Sequence, residues 1–272
     1  LGQVVSKTAE AGLSGDCASE WLRQCGVHGL CSIGAKRHGA ACCSGCPDRV
    51  SRSAKVGIAL GCYNLPKLAE LQVVAVEKTN GSIPILLCDD HSPRVGDYAA
   101  IAAKYAHVTC WHNEARLGHY AGDLSVFRKA IQWGHANGLD YVIKLSQRFI
   151  WLKPNWATSA AKRAADEGAA IVMQSCVDNH TDLKIRSECV LLDVKKWLPI
   201  VPEMSSDRLG APTELAVWHF VHRHFGGKFT EWPGMPVDRY KAMAGTVWHC
   251  SHSKSQFEKL AAYFKLPLDD DF

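Results

Sequence analysis

The chain reads as an α/β protein with a mostly parallel sheet, helices on both faces and a small cysteine-rich module at its start. Three observations predict this. From Val56 onward, short apolar runs suited to buried strands alternate with helical patterns. A β-α-β-α-β-α-β order implies a parallel sheet with right-handed crossovers. Before Lys55 the apolar periodicity is poor, and six of the twelve cysteines crowd together there.

Val56–Cys62 is a short buried-strand run, and Pro66 then starts a helix with Leu68, Leu71 and Val74 on one face. Asn80-Gly81 stops that helix. Ile83–Cys88 is the second strand and ends in the polar turn Asp89–Pro93. Asp97–Tyr105 is helical, His107–Trp111 is the third strand, and Gly122–Asn137 is a longer helix with Leu124, Phe127 and Ile131 in register. Asp140–Leu145 is the fourth strand. Further on, Trp151–Trp156 opens a helix through the Ala-rich 157–169, and Ala170–Gln174 and Cys189–Asp193 are strands. Pro212 opens a helix that ends at Gly226-Gly227. Asp48–Ser53 is a polar connector, dividing the chain into a module over 1–54 and a larger domain over 55–272.

Composition narrows the class. Of 272 residues, 47% are hydrophobic and 21% charged, which excludes a disordered chain and a coiled coil. The apolar runs are too short to span a bilayer, and no signal peptide is visible. The net charge is +4, and +3 of it sits in residues 1–55. This permits an anionic partner without demanding one. Cys62, Cys88, Cys110 and Cys189 lie in or beside apolar runs and read as buried thiols, which suits a reducing cytoplasm. There is no G-x-x-x-x-G-K-S/T, no G-x-G-x-x-G after the first strand and no nucleophile-elbow serine. A P-loop enzyme, a standard dinucleotide fold and an α/β-hydrolase are therefore disfavoured.

In the first module, Cys25-x5-Cys31 and Cys43-x2-Cys46 present two thiolate pairs, with Cys17, His28 and Cys42 as further candidates. Four thiolates suit tetrahedral zinc, which would staple a segment too poor in apolar residues to fold on its core alone. An iron–sulfur cluster and disulfides are the alternatives.

In the larger domain, ligands on such a sheet bind beyond the carboxyl ends of the strands. The polar residues gathered there are Tyr63 and Asn64, then Asp89 and Asp90, then Asn113 and Glu114, then Ser146, Gln147 and Arg148. This set resembles the nucleotide-sugar half of the GT-A glycosyltransferases, close to the large family-2-like group. Strand one ends in Cys-Tyr-Asn, like the family's turn beside the nucleobase. Strand two ends in Asp89-Asp90-His91-Ser92, like the family's Asp-Asp-x-Ser, whose carboxylate reads the uracil or ribose edge. Arg116-Leu117-Gly118-His119 and Gly122-Asp123 precede a helix, in a stretch that passes over the nucleotide in the family. The resemblance covers residues 56–148 and continues loosely to 225. One departure stands out. Strand four ends in Lys144-Leu145-Ser146-Gln147-Arg148, with no carboxylate where the family sets its metal-binding Asp-x-Asp.

The resemblance implies a nucleotide-sugar donor, first of all a UDP-sugar, held by Cys62, Tyr63, Asn64, Asp89, Asp90, Gly118, His119, Asp123, Ser146 and Gln147. Lys144 or Arg148 would meet the diphosphate charge in place of a divalent metal. Inverting relatives carry a catalytic carboxylate at the start of the acceptor-side helix, and Glu214 holds that position here. The implied activity is transfer of a hexose-type sugar to an acceptor hydroxyl, on a polymer such as modified DNA or on a glycan. The competing reading is a non-catalytic, zinc-containing nucleic-acid adaptor with a Rossmann-like domain. Plainer roles compete too: Asp89 and Asp90 as turn residues, Asp123 as a helix cap, Glu214 as a first-turn acid, and the tryptophans as core.

Overall fold

A computed structural model of the chain describes residues 54–175, 185–204, 212–232, 247–249 and 254–265. Apart from Ala54, the 1–54 module lies outside them, and with it Cys25, Cys31, Cys43 and Cys46.

The strands are β1 (Val56–Cys62), β2 (Ile85–Asp89), β3 (Val108–His112), β4 (Tyr141–Ser146), β5 (Phe149–Trp151), β6 (Ile171–Ser175), β7 (Ile185–Asp193), β8 (Thr230–Glu231) and β9 (Val247–His249). The helices are α1 (Pro66–Asn80), α2 (Val95–Lys104), α3 (Gly118–Ala136), α4 (Trp156–Glu167), α5 (Val194–Trp197), α6 (Thr213–Phe225) and α7 (Lys254–Phe264), with a 3-10 turn over Leu198–Glu203. Seven strands form one sheet in the order β3-β2-β1-β4-β7-β6-β8, and β5 pairs with β9 apart from it. The mostly parallel α/β class read from the sequence is the class of this sheet.

β1, β2 and β4 are apolar at nearly every position because both faces are covered. One face packs Val73 and Val76 of α1, Tyr98 and Ile101 of α2 and Ala160 of α4. The other packs Phe127 and Ile131 of α3, Trp197 of α5 and Val217 and Phe220 of α6. Gly57 lets α3 lie close on β1: a Cβ there would meet Leu139 Cδ1 at 2.6 Å and the Trp133 ring at 2.7 Å. α7 packs Phe257, Leu260 and Phe264 against Leu68 and Leu71 of α1.

Several elements differ from the sequence reading. β7 runs antiparallel to β4, with Lys144 opposite Val190, and antiparallel to β6. The stretch between β6 and β7, residues 176–184, is shorter than the dozen or so residues a parallel crossover needs. β7 also starts at Ile185, well before the expected Cys189, and α3 starts at Gly118 rather than Gly122. Trp151 closes β5 instead of opening a helix. Its ring stacks on Trp156 at 5.0 Å and lies 5.4 Å from Trp232. All three rings are buried and form core, as the sequence reading allowed. No helix among the described residues is long and apolar enough to cross a membrane.

Candidate functional site

A cleft of about 270 Å³ opens beyond the carboxyl ends of β1, β2 and β4. Of the sequence-predicted residues, it is lined by Cys62, Tyr63, Asp90, Asn113, Gly118, His119, Asp123, Ser146, Gln147 and Arg148. Asn64, Asp89, Glu114, Lys144 and Glu214 do not line it.

The floor is built by the turns after β1 and β2. Asp89 is fully buried, and its carboxylate accepts hydrogen bonds from the Ser92 amide at 3.0 Å and from the Ser92 hydroxyl. Ser92 Oγ in turn accepts from the Asn64 amide at 2.8 Å, and Asn64 takes a left-handed φ of 52°. The Asp-Asp-x-Ser motif thus ties the turn after β2 to the turn after β1. Asp90 reaches the opposite way. Its oxygens accept from Asn113 Nδ2 at 2.8 Å and from the amides of Leu117 and Gly118 at 3.0 Å each. Gly122 clears the space for it, since a Cβ there would sit 2.7 Å from Asp90 Oδ2. A carboxylate on the free amides at the start of α3 also gains from the helix dipole.

At the β1 end, Gln147 Oε1 accepts from the Tyr63 amide at 2.8 Å. The Arg116 guanidinium lies 4.2 Å from the centre of the Tyr63 ring. Arg116 and Arg148 both line the cleft, as does His119. Ser146 Oγ, also in the lining, is buried and makes no hydrogen bond among the described residues. Burial pushes the Cys62 thiol well above its ordinary pKa, so it contributes a neutral S–H, directed at the Leu60 carbonyl at 3.4 Å.

Behind Asp123, the one member of the group in the cleft lining, lies a charge cluster. The Lys144 side chain is 1% exposed and is ion-paired with Asp123. Its ammonium also donates to the Ser187 carbonyl at 2.8 Å and lies 5.1 Å from the centre of the Phe127 ring. The sequence reading aimed Lys144 at a diphosphate; in the fold it points into the layer between sheet and α3. Ser187 is buried on β7, and its hydroxyl stands 3.3 Å from Asp123 Oδ2 and 2.8 Å from Glu214 Oε1. Glu214 sits in the first turn of α6, whose Thr213 hydroxyl donates to the Tyr120 carbonyl of α3 at 3.1 Å. Burial raises the Asp123 carboxyl above its ordinary pKa, while the Lys144 ammonium opposes the rise and Glu214 and Glu188 add to it. Three residues that the sequence set apart, Asp123, Lys144 and Glu214, are therefore one cluster, joined by Ser187.

Ser187 is a residue the sequence reading did not single out, and Arg116 appeared there only within the stretch that passes over the nucleotide in the family. The signal for Ser187 was weak: it lies in Arg186-Ser187-Glu188, a charged stretch that reads as the approach to a strand rather than part of one. Among the described residues, no group of three or more His, Cys, Asp or Glu is placed to hold a metal ion.

No protein-family model and no curated protein matches the chain. Solved structures similar to it include the mannosyltransferase PcManGT from Pyrobaculum calidifontis in complex with GDP-Man and Mn²⁺, at 14% identity and a TM-score of 0.49, over 69% of this chain and 56% of that one. The glycosyltransferase GlyE of Streptococcus pneumoniae matches at 14% identity and a TM-score of 0.47, over 79% and 50%. An active-site mutant of LgtC matches at 12% identity and 0.49, over 79% and 98%. The chain thus spans about half the length of the first two. Likeness at this level assigns no family.

Proposed function

We propose that the chain is a nucleotide-sugar-dependent glycosyltransferase that moves a hexose-type sugar to an acceptor hydroxyl with inversion and without a catalytic divalent metal. The observation that carries this reading is the composition of the cleft. It lies beyond the carboxyl ends of parallel strands, where α/β sheets bind ligands. Arg116, Arg148 and His119 face it, and the end of β4 supplies Ser146, Gln147 and Arg148 in place of a carboxylate pair. That residue set does not fit a divalent cation, and no step below uses one.

In this reading the donor is a nucleoside diphosphate sugar, uridine first. Its base lies by Tyr63 and its diphosphate by Arg148, with Arg116 and His119 alongside. A guanidinium offers paired donors that match phosphate oxygens and keeps its charge at any working pH. Fixed cations at the departing diphosphate stabilise charge that grows as the anomeric bond breaks. Asp89 and Asp90 act through the turns they hold. Lys144 is the ion-pair partner of Asp123. Glu214 takes the acceptor's proton as the acceptor oxygen closes on the anomeric carbon. The acceptor is a glycan or a modified nucleic acid. We assign the N-terminal cysteines to one structural zinc, held by Cys25, Cys31, Cys43 and Cys46. Elemental analysis of the purified full chain is expected to find about one zinc per chain; absence of both zinc and iron overturns that assignment.

The functional test is mass spectrometry of nucleotide release from a panel of nucleotide sugars, with and without EDTA. Release from a UDP-sugar that survives EDTA is the expected result. Strict dependence on added Mg²⁺ or Mn²⁺ overturns the metal-free reading, a retained anomeric configuration overturns inversion, and no release from any donor overturns the enzyme reading.

A further inference from the structure

Glu214 lies in the first turn of α6 and does not stand alone there. Between two carboxylates stands one hydroxyl, Ser187 Oγ, 2.8 Å from Glu214 Oε1 and 3.3 Å from Asp123 Oδ2. A hydroxyl has one hydrogen to donate. With both acids ionised, Ser187 donates to Glu214, and Asp123 Oδ2 takes the longer, unfilled contact. One added proton completes the chain: the Glu214 carboxyl donates to Ser187 Oγ, and the Ser187 hydrogen turns to Asp123 Oδ2.

We infer that Asp123, Ser187 and Glu214 work as a single proton-accepting unit, in which Ser187 is a positioning residue that couples the catalytic Glu214 to Asp123. This rests on the glycosyltransferase reading for its role in turnover. The step balances. The acceptor O–H bond breaks and its proton passes to Glu214 as the acceptor oxygen bonds to the anomeric carbon. The bond to the diphosphate breaks with its electron pair leaving on phosphate oxygen. The hydroxyl rotation at Ser187 then shares the proton's charge with Asp123, and the proton is lost to water after product leaves.

The surrounding charges suit such a unit. Lys144 on β4 pairs with Asp123. Glu188 on β7 adds negative potential but is paired with Arg186 at 3.0 Å. His119, one turn before Asp123 on α3, lines the same cleft, as do Arg116, Arg148 and Asp90, the last with its oxygens on the 113–118 loop. Lys144 is the one cation in direct contact with Asp123 among the described residues, and it holds Oδ1 of that carboxylate while the Ser187 hydroxyl stands at Oδ2. Burial already biases Asp123 toward the protonated form. Acids coupled this way titrate as a pair.

The test is an infrared pH titration of the full chain, reading the carbonyl band of protonated carboxyls, beside the acid limb of kcat/KM. Wild type and Ser187→Thr, which keeps a hydroxyl, are expected to show one carboxyl titrating above the ordinary carboxylate range, with the acid limb at the same pH. Ser187→Val, similar in shape to Thr, is expected to move both down by about one pH unit or more. Asp123→Asn, whose amide donates to Ser187 and leaves Glu214 satisfied when ionised, is expected to abolish the raised step, and it decides the matter if the Val variant does not fold. A raised step that persists in Val or Asn, or none in wild type, overturns the unit. Failure of every nucleotide sugar to react overturns the glycosyltransferase reading instead and leaves the infrared result standing.

Discussion

Two pairs of acids flank the cleft, and they are held in different ways. Asp89 and Asp90 are neighbours in sequence at the end of β2, and their oxygens bond to a serine, an asparagine and backbone amides of the adjoining turns. Asp123 and Glu214 come from two helices far apart in the chain and are held by a buried ammonium and a shared hydroxyl. The first pair therefore fixes backbone shape, because amide donors in a turn cannot turn away from a carboxylate. The second pair has partners whose protons can move, so it can exchange a proton without moving the chain. A carboxylate's chemistry follows from what satisfies it more than from its place beside a cleft.

The sharpest way to break this contrast is at Lys144. Replacing Lys144 by Met removes the partner of a mostly buried Asp123 and is expected to cost about 3–5 kcal/mol of stability by urea unfolding. Adding Asp123→Asn to that variant removes the stranded charge and is expected to recover much of the loss. A Met variant as stable as wild type would show that the pair is not anchored as its burial implies.

Next in size is Glu214→Gln. It keeps shape and hydrogen bonding but not basicity, and is expected to slow transfer by roughly 10²-fold with donor binding unchanged. Near-normal turnover would reduce Glu214 to a helix-start residue.

Asp89→Ala probes the other pair. It strands the Ser92 amide and hydroxyl in the buried turn, and is expected to cost about 1–3 kcal/mol in unfolding measurements. Its signature is lost stability with a rate constant for bound substrate close to wild type. A large fall in kcat at unchanged stability would place Asp89 in the chemistry and erase the contrast.

The smallest expected effect is at Arg148→Ala. Removing one charge-assisted phosphate contact is expected to raise the KM for the donor about tenfold, with stability unchanged. No change in KM would move the diphosphate away from the end of β4.

Much of the frame was legible in the residues. The alternating β and α patterns up to Leu145 rest on local periodicity, which side-chain burial on two covered faces imposes directly on the sequence. The residues at the strand ends were legible for the same reason: once the strands are placed, the turns that follow them must collect at one edge of a parallel sheet. The reversal of β7 was not legible, because a strand buried on both faces reads alike in either direction. Nor was the destination of Lys144. A lysine in an apolar strand looks like a cation awaiting a ligand until α3 and β7 supply Asp123 and the Ser187 carbonyl. By itself the sequence determined the order of strands and helices up to Leu145 and most of the polar groups at the open edge, since those depend on neighbours along the chain. Only the tertiary structure decided which charges meet, because Asp123, Ser187 and Glu214 lie on three separate elements whose contact is set by packing on one face of the sheet.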